Sequence, residues 1–283
     1  MIGVDIGGTN LLVGRIEDNL VVERAHEQIV EGCDFGDVVK QTCDLISAVA
    51  GPNIEHVGIA VAGGVDCQTG VVHRAQNLNW DNVPLGNRVA ENLGCKVVVE
   101  NDVTAAAWGE FCFGAGKDVD SMFAVWIGTG IGGGLILDGK IWRGPLGTAG
   151  EFGMGISSPE PDATYRYLEA SASRSGMQQV LSRPDLTTYE ITKGYKFDPE
   201  ITAAVDNSAK RIGTAIANVI TLLSLDRVVL GGGLIEALGV QYLDAIRDQF
   251  TEDVFPKHCR QCEFKSTLLG PDAGLLGAAA LAQ

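Results

Sequence analysis

The stretch that decides the fold is FAVWIGTGIGGGLILDGKIW, residues 123–142. Its apolar runs Phe123–Ile127 and Leu135–Leu137 predict two strands, and Gly128–Gly134 predicts the turn that joins them. Asp138-Gly139 is a hairpin signal, so the chain is expected to return directly as a third strand. The pattern predicts strand, glycine turn, strand and hairpin in succession.

The chain opens with the same unit. Ile2–Ile6 predicts a strand, Gly7-Gly8-Thr9-Asn10 a turn, and Leu11–Ile16 a second strand. Within the two copies of the unit, Asp5–Thr9 corresponds to Trp126–Gly130. One strand–turn–strand unit that occurs twice in a chain indicates two related domains that face each other.

The glycines also match a dinucleotide-binding fingerprint, Gly128-x-Gly130-x-x-Gly133. That motif requires a helix directly after the glycines, so that the pyrophosphate meets the helix N-terminus. Here a strand and a hairpin are predicted instead, which disfavours a Rossmann domain. A glycine turn between strands binds phosphate through backbone N–H groups and a Thr hydroxyl. Either turn alone could be a plain tight turn, but two at equivalent places favour phosphate binding.

Further elements follow from hydrophobic periodicity and from turn residues. A helix is predicted over residues 37–50, and a second over Val103–Phe113 with Asp102 as its N-cap. Because a helix N-terminus favours an ionised carboxylate, we expect Asp102 to be a charged, weak base. The other predicted elements are strands at Leu20–Arg24, Val57–Ala62, Lys96–Glu100, Arg227–Leu230 and Glu263–Leu268, and helices at 200–224, Ile235–Phe250 and Ala273–Ala282.

Composition excludes several classes of protein. Hydrophobic residues make up 46% and charged residues 20% of the 283 residues, which is typical of a packed globular protein. The net charge of −15 counts against nucleic-acid binding and against a basic membrane-binding patch. It does not exclude a nucleotide, because glycine loops cradle phosphate with few cations. With no long apolar run, no secretory signal and seven scattered cysteines, we expect a soluble cytoplasmic protein.

Taken singly, the polar residues near these turns have ordinary explanations. Asp102 could be only a helix cap, although Glu100 and Asn101 beside it are polar at the end of a buried strand, where ligand crevices open. Glu151, among glycines, is either a solvated charge or a binding carboxylate. Glu169 lies in a predicted helix and would ordinarily be a surface charge.

Together, the ordered motifs resemble those of the ROK (repressor, open reading frame, kinase) sugar kinases, within the actin-like ATPase superfamily. The resemblance runs over almost the whole chain. It rests on the two glycine turns, on Glu100-Asn101-Asp102, and on the segments Ala75–Leu78, Leu168–Ser171 and Val228–Gly233.

The resemblance implies an α/β fold of two actin-like (ribonuclease H-like) domains, whose mixed sheets lie around an interdomain cleft. The N-terminal domain would span residues 1–105 and carry the sugar and the first phosphate loop. The C-terminal domain would span residues 106–283 and bind the nucleotide, and its last helix could return to the first domain.

The resemblance also implies roles for individual residues. Asp102 would be the catalytic base that accepts the proton of the attacking sugar hydroxyl. The implied substrate-binding residues are Asn77, Asn101, Glu151 and Glu169. The implied ATP-binding residues are Asp5, Gly7, Gly8, Thr9, Asn10, Gly128, Thr129, Gly130, Gly232 and Gly233. Asp5 would also hold Mg²⁺ through water.

The sequence departs from the family where zinc is usually bound. The usual Glu-x-Gly-His is here Glu151-Phe152-Gly153-Met154, and the segment Gly155–Leu168, where a Cys-rich zinc loop is expected, has no cysteine. We therefore expect ATP and Mg²⁺ as cofactors and no zinc site.

The expected function is ATP-dependent phosphorylation of a hexose, with glucose 6-phosphate as the product that the family favours. Another hexose, an N-acetylated amino sugar, a polyphosphate donor and a non-catalytic sugar sensor remain alternatives. The first strand begins at Ile2, leaving no room for a DNA-binding helix-turn-helix, so no nucleic-acid partner is expected. No membrane partner is expected either, and the family implies a homodimer.

Overall fold

A computed structural model describes residues 1–30, 32–51, 54–158, 160 and 165–283. The strands in these residues are β1 (Ile2–Ile6), β2 (Asn10–Glu17), β3 (Leu20–Gln28), β4 (His56–Val61), β5 (Gly64–Asp66), β6 (Val71–Ala75), β7 (Trp80–Val83), β8 (Lys96–Asn101), β9 (Met122–Ile127), β10 (Ile131–Leu137), β11 (Lys140–Ile141), β12 (Arg227–Gly231) and β13 (Glu263–Ser266). The α-helices are α1 (Phe35–Ala50), α2 (Leu85–Leu93), α3 (Asp102–Phe113), α4 (Glu169–Ala172), α5 (Arg174–Val180), α6 (Thr188–Gly194), α7 (Pro199–Leu223), α8 (Gly233–Leu238), α9 (Val240–Asp253) and α10 (Ala273–Leu281).

Two five-stranded sheets share one strand order and the same strand directions at their centres. The first has the order β3-β2-β1-β4-β8, with β1 antiparallel to β2 and parallel to β4. The second has the order β11-β10-β9-β12-β13, with β9 antiparallel to β10 and parallel to β12. The repeat that the two glycine turns predict is confirmed, and so is the mixed α/β fold class.

The chain divides into two units. The first comprises Met1–Lys117, Ile141–Ala149 and Pro271–Gln283, and the second comprises Asp118–Lys140 and Gly150–Gly270. The boundary expected between residues 105 and 106 falls inside α3, whereas the units separate after Lys117. The C-terminal helix α10 belongs to the first unit.

Helix α3 stays with the first unit because it packs closely on α10. A Cβ atom on Gly277 would lie 1.7 Å from the carbonyl oxygen of Ala105, and one on Gly109 would lie 2.4 Å from that of Ala273. Strand β4 approaches the same helix equally closely, since a Cβ on Gly58 would lie 1.7 Å from the carbonyl oxygen of Ala278. The missing side chains on these glycines therefore let α10 pack closely against both α3 and β4.

The second unit is built around α7, whose start follows the capping rules. Asp198 caps the helix by accepting hydrogen bonds from the N–H groups of Glu200 and Ile201, and Pro199 takes the first position, where no N–H is needed. One face of α7 is buried in the core of this unit, through residues that include Ile201, Val205, Ile212, Ile216 and Ile220.

Among the described helices, none combines the length and the apolar character needed to cross a membrane.

Two element boundaries differ from the sequence-based expectation. Gly132, Gly133 and Gly134 lie in strand β10, paired with β9, so the second turn comprises only residues 128–130. The helix expected over Ile235–Phe250 is two helices, because Gly239 has φ of +67° and ends α8. In each case glycine was consistent with either conformation, and strand pairing or local backbone geometry decided between them.

Candidate active site

The first glycine turn lies in the first unit, between β1 and β2. It is closed by a hydrogen bond from the Gly7 N–H to the Asn10 carbonyl oxygen, 2.9 Å. Gly8 leaves no room for a side chain, since a Cβ there would be 2.7 Å from Cβ of Asn77. Thr9 and Asn10 are exposed and joined by a side-chain hydrogen bond of 3.1 Å. The turn thus presents polar groups to solvent, directly beside Asn77.

Asp102 follows the end of strand β8, as expected, but it does not cap α3. Asn101 is the N-cap, because its Oδ1 accepts the hydrogen bond from the Thr104 N–H at 3.0 Å. Asp102 is the first helical residue, and its Oδ1 accepts from the Val103 N–H at 2.9 Å and from Nδ2 of Asn101 at 3.0 Å. Neither of these bonds involves Oδ2. The side chain is therefore held from one oxygen, which leaves the other to accept a proton.

Asp5 and Asp102 lie near each other in this unit, and the Asp102 carboxylate affects the pKa of Asp5. Burial, and then the Asp102 carboxylate, raise the pKa of Asp5 from 3.8 to about 7. Burial also raises the pKa of Asp102, although hydrogen bonds to its carboxylate oppose the change. The expectation of a weak base was wrong, because desolvation outweighs the effect of the helix N-terminus. A raised pKa makes Asp102 a stronger base.

A buried ion pair that sequence analysis missed supports Asp102. Glu100 is 3% exposed, and its Oε2 accepts from Nε of Arg143 at 2.7 Å. Its Oε1 accepts from the Asn101 N–H at 3.0 Å. The carboxylate of Glu100 thus connects Arg143 to the backbone next to Asp102. Glu100 could be singled out as a polar residue at a strand end, but nothing in the sequence pairs it with Arg143.

The second glycine turn lies in the second unit and is held by the segment that follows residue 168. The carboxylate of Glu169 accepts from the Ile131 N–H at 2.6 Å. The guanidinium of Arg174 donates to Oγ1 of Thr129 at 2.6 Å, and the Arg174 N–H donates to the Gly128 carbonyl oxygen at 2.9 Å. Glu169, expected as a sugar ligand, thus lies on the turn itself. Arg174 was not anticipated, because its role depends on a contact across 45 residues of sequence.

The third glycine segment lies against the same turn. Gly232 has φ of +92°, and a Cβ there would be 2.7 Å from both the N and the O of Ile127, the last residue of β9. Gly233 begins α8. The structure therefore brings the Gly128–Gly130 turn, Glu169 and the glycines at 232 and 233 together within the second unit.

Glu151 belongs to the second unit as well. It is exposed and precedes a short 3₁₀ turn, Phe152–Met154. A Cβ on Gly153 would lie 3.2 Å from Cβ of Glu169, so this turn is adjacent to Glu169. Met154, which replaces the family's histidine, is 47% exposed.

The described residues contain no group of three or more His, Cys, Asp or Glu side chains arranged to hold a metal ion. Of the segment where the zinc loop is expected, residues 159 and 161–164 lie outside the described residues. Asp5 and Asp102 supply oxygen donors, the type that Mg²⁺ prefers. A magnesium ion held by one or two carboxylates, water and phosphate oxygens therefore fits this donor set, whereas a closed tetrahedral zinc site does not.

Comparison with known proteins gives a consistent result over the full length. The family model described as ROK family matches residues 1–283. A glucokinase of Thermotoga maritima is 30% identical over 99% of this chain and 96% of its own, and an N-acetylmannosamine kinase of Vibrio cholerae is 28% identical over 87% of each. Among solved structures, a ROK family glucokinase from Streptomyces griseus in complex with glucose and AMPPNP is 30% identical, with a TM-score of 0.85 over 100% of this chain and 98% of that one.

Proposed function

This chain belongs to the ROK family and is a sugar kinase, and we propose that it transfers the γ-phosphoryl group of ATP to a hydroxyl of glucose, forming glucose 6-phosphate. The observation that carries the proposal is a set of polar groups in the first unit. Asp102 is hydrogen-bonded to Asn101 and lies near Asp5, and Asn77 lies against Gly8 of the first glycine turn. The glucokinase relatives, which match almost end to end, favour glucose as the acceptor.

In the proposed reaction, Asp102 is the catalytic base. The sugar hydroxyl oxygen forms a bond to the γ-phosphorus while the bond from that phosphorus to the ADP oxygen breaks. The hydroxyl proton passes to the carboxylate of Asp102, whose Oδ1 is already engaged by Val103 and Asn101. Because the pKa of Asp102 is raised by burial, its carboxylate is a better proton acceptor than an exposed aspartate.

Four polar side chains are proposed to position the acceptor. Asn77 and Asn101 would hold sugar hydroxyls, and Asn101 is itself fixed by its bond to the Gly63 carbonyl oxygen at 3.1 Å. Glu151 and Glu169 are proposed as further sugar ligands. Met154 provides a thioether where the family has an imidazole, so the sugar loses one polar partner there.

The glycine turns are proposed to hold the nucleotide. Gly7, Gly8, Thr9 and Asn10 supply N–H and hydroxyl donors from one turn. The other donors are at Gly128, Thr129, Gly130, Gly232 and Gly233. Asp5 would hold Mg²⁺ through water; the ion, when bound, neutralises charge on the transferring phosphoryl group. We propose no resident zinc.

A second acceptor has support of its own. The N-acetylmannosamine kinase of Vibrio cholerae covers 87% of this chain. Glucose remains the first candidate because its relatives match more of the chain at higher identity.

The test is a coupled ADP-release assay over glucose, mannose, fructose, N-acetylmannosamine and N-acetylglucosamine, with polyphosphate as an alternative donor monitored by phosphorus NMR. We expect the highest kcat/KM for glucose with ATP, and NMR should identify the 6-phosphate. A higher kcat/KM for N-acetylmannosamine would replace glucose with that acceptor. Turnover with polyphosphate but not with ATP would overturn the proposed donor.

Homodimer formation and the absence of nucleic-acid binding stay predictions. Light scattering tests the first, and a gel-shift assay tests the second.

A further inference from the structure

We propose that Arg174 is a phosphate-binding residue of the nucleotide site, and that its guanidinium contacts the phosphate chain of ATP beside Thr129. This inference rests on the proposed function, since it concerns the nucleotide that the kinase would use. It adds a cation to a set of predicted ATP-binding residues that contains none.

The first step is geometric, because Arg174 is attached to the second glycine turn at two points. Its backbone N–H donates to the Gly128 carbonyl oxygen at 2.9 Å, and the next N–H, of Ser175, donates to the Thr129 carbonyl oxygen at 3.2 Å. Its side chain then reaches Oγ1 of Thr129 at 2.6 Å. The guanidinium is therefore held at the turn and is not a freely moving surface cation.

The second step concerns the unused donors of Arg174. A guanidinium has five N–H donors, of which the contact with Thr129 uses one. The side chain is half-buried, and no carboxylate among the described residues lies within ion-pairing distance of it. The nearby carboxylate of Glu169 is directed to the Ile131 N–H. Most of the donors thus remain available for an anion at the turn.

The third step concerns the proton of Thr129. Because the hydroxyl oxygen accepts a hydrogen bond from Arg174, its own proton points away from the guanidinium and needs another acceptor. A phosphate oxygen accepts from a hydroxyl and from a guanidinium together, and hydrogen bonds to charged groups are the stronger class. The pair therefore forms one donor surface suited to a single phosphate group.

The fourth step is electrostatic. The ten residues predicted to bind ATP are glycines, threonines, an asparagine and one aspartate, and the protein carries a net charge of −15. Mg²⁺ offsets only part of the charge of a triphosphate. A fixed arginine at the phosphate loop supplies positive charge that neither backbone dipoles nor hydroxyls provide.

A purely structural role is the alternative, in which Arg174 only fastens α5 to the turn. The two roles differ in what they predict for ligands with and without phosphate. A fastening role alters the whole nucleotide site, so adenosine and ADP would lose affinity together. A phosphate contact affects ADP and leaves adenosine unchanged.

The experiment is isothermal titration of ADP and of adenosine into wild-type protein, Arg174→Gln, Arg174→Lys and the control Arg247→Gln. Arg247 is a half-exposed cation on α9 that pairs with Asp244, so its loss removes the same charge elsewhere. We expect Arg174→Gln to raise the Kd of ADP at least ~10-fold, as loss of one charged hydrogen bond predicts. Adenosine affinity should change less than about twofold on the same scale, Arg174→Lys should be intermediate, and the control should match wild type.

Equal losses for adenosine and ADP, or no loss for either, would overturn the assignment. A thermal melt identifies any variant that fails to fold, and Arg174→Lys, which keeps the charge, then decides the question by the same ADP-to-adenosine comparison. Since no sugar is used, failure of this inference is distinct from failure of the proposed function. The latter would show as wild-type protein that binds ADP but does not phosphorylate glucose.

Discussion

At the scale of single residues, burial of the Asp5 carboxylate, with the Asp102 carboxylate nearby, has a cost in stability. A carboxyl group whose pKa is about 7 in the folded protein and near 3.8 when unfolded favours folding only in its protonated form. Below about pH 4 the group is protonated in both states and adds no penalty. As the pH rises from about 4 to about 7 the penalty grows, and above 7 it is present in full.

Replacing Asp5 by asparagine should therefore stabilise the protein in a pH-dependent way. In metal-free buffer, we expect Asp5→Asn to raise Tm by about 2–5 °C at pH 8 and to have little effect at pH 4.5. Scanning calorimetry at both pH values measures the difference. Asp18→Asn, an exposed residue of the β2–β3 turn, is the matched control and should show no such difference. Equal effects of Asp5→Asn at both pH values would show that the charge of Asp5 carries no penalty.

The two partners of the Glu100–Arg143 ion pair should differ in how much stability is lost when each is replaced. Glu100 is 3% exposed, whereas the Arg143 side chain is 33% exposed. Arg143→Gln leaves a buried carboxylate without its cation, so we expect the free energy of unfolding to fall by roughly 2–4 kcal/mol. Glu100→Gln leaves a guanidinium that can reach water and should cost less.

Urea unfolding of both single variants and of the double variant measures the asymmetry. Arg15→Gln, which removes the partner of the exposed carboxylate of Glu23, serves as the control and should change little. A larger loss for Glu100→Gln than for Arg143→Gln would mean that burial of the carboxylate does not govern this pair.

These residues also show how far the sequence could predict the site. Asp102 could be identified because a polar residue where a strand meets a helix has a local signature. No such local signature marks Arg143, Arg174 or His26. The last of these has its Nε2 3.0 Å from Oδ1 of Asn10. Their partners are distant in sequence, and only the folded sheet brings them together. Even for Asp102 the predicted direction of the pKa change was wrong. The pKa is raised by burial, and burial depends on the tertiary structure rather than on the local sequence.

At the scale of elements, the packing of α3 on α10 depends on glycine. A Cβ on Gly277 would lie 1.7 Å from the backbone of Ala105, so the helices must separate to accept alanine. We expect Gly277→Ala to lower Tm by at least several degrees, because overpacking costs about 1–3 kcal/mol or more. Since α3 carries Asp102, kcat should fall as well.

Gly64→Ala is the matched control for stability. Nothing lies within 4 Å of a Cβ at Gly64, and its backbone is not left-handed. Its melting temperature should therefore equal that of wild type. A Gly277→Ala variant as stable as the control would show that the helix contact can relax without cost.

Elements were predicted well where a local signal fixed them and poorly where glycine left a choice. Strand β1 follows from a short pattern and is present. Gly132–Gly134 were predicted as part of the turn, but they pair with β9 and lie in a strand. Gly239 could have continued a helix, and its positive φ ended one.

At the scale of the whole molecule, the two units have sheets of the same strand order but carry different side chains at equivalent positions. Asp5 and Trp126 occupy equivalent places, one residue before the end of β1 and of β9. The Asp5 carboxylate is repelled by that of Asp102, whereas Trp126 packs on Gly231, where a Cβ would lie 2.6 Å from the Trp126 ring. The repeat was visible in the sequence because both turns kept their glycines.

The residues at positions 151–168 predict that the protein binds no structural zinc. Methionine replaces the family's histidine at position 154, and no cysteine occurs from 155 to 168. Elemental analysis of the purified protein should find no stoichiometric zinc, and a chelator should leave Tm unchanged. One tightly held zinc per chain would contradict this prediction.

The role of Asp102 is tested most directly by the kcat of Asp102→Asn for glucose, measured beside glucose Kd and Tm. Asparagine keeps the shape of the side chain but does not accept the hydroxyl proton as a carboxylate does. We expect kcat to fall at least ~10²-fold, the lower range for a general base, with glucose Kd nearly unchanged. Asp34→Asn, the same substitution at the N-cap of α1, should retain wild-type turnover. Near-wild-type kcat in Asp102→Asn would contradict the assignment of Asp102 as the base.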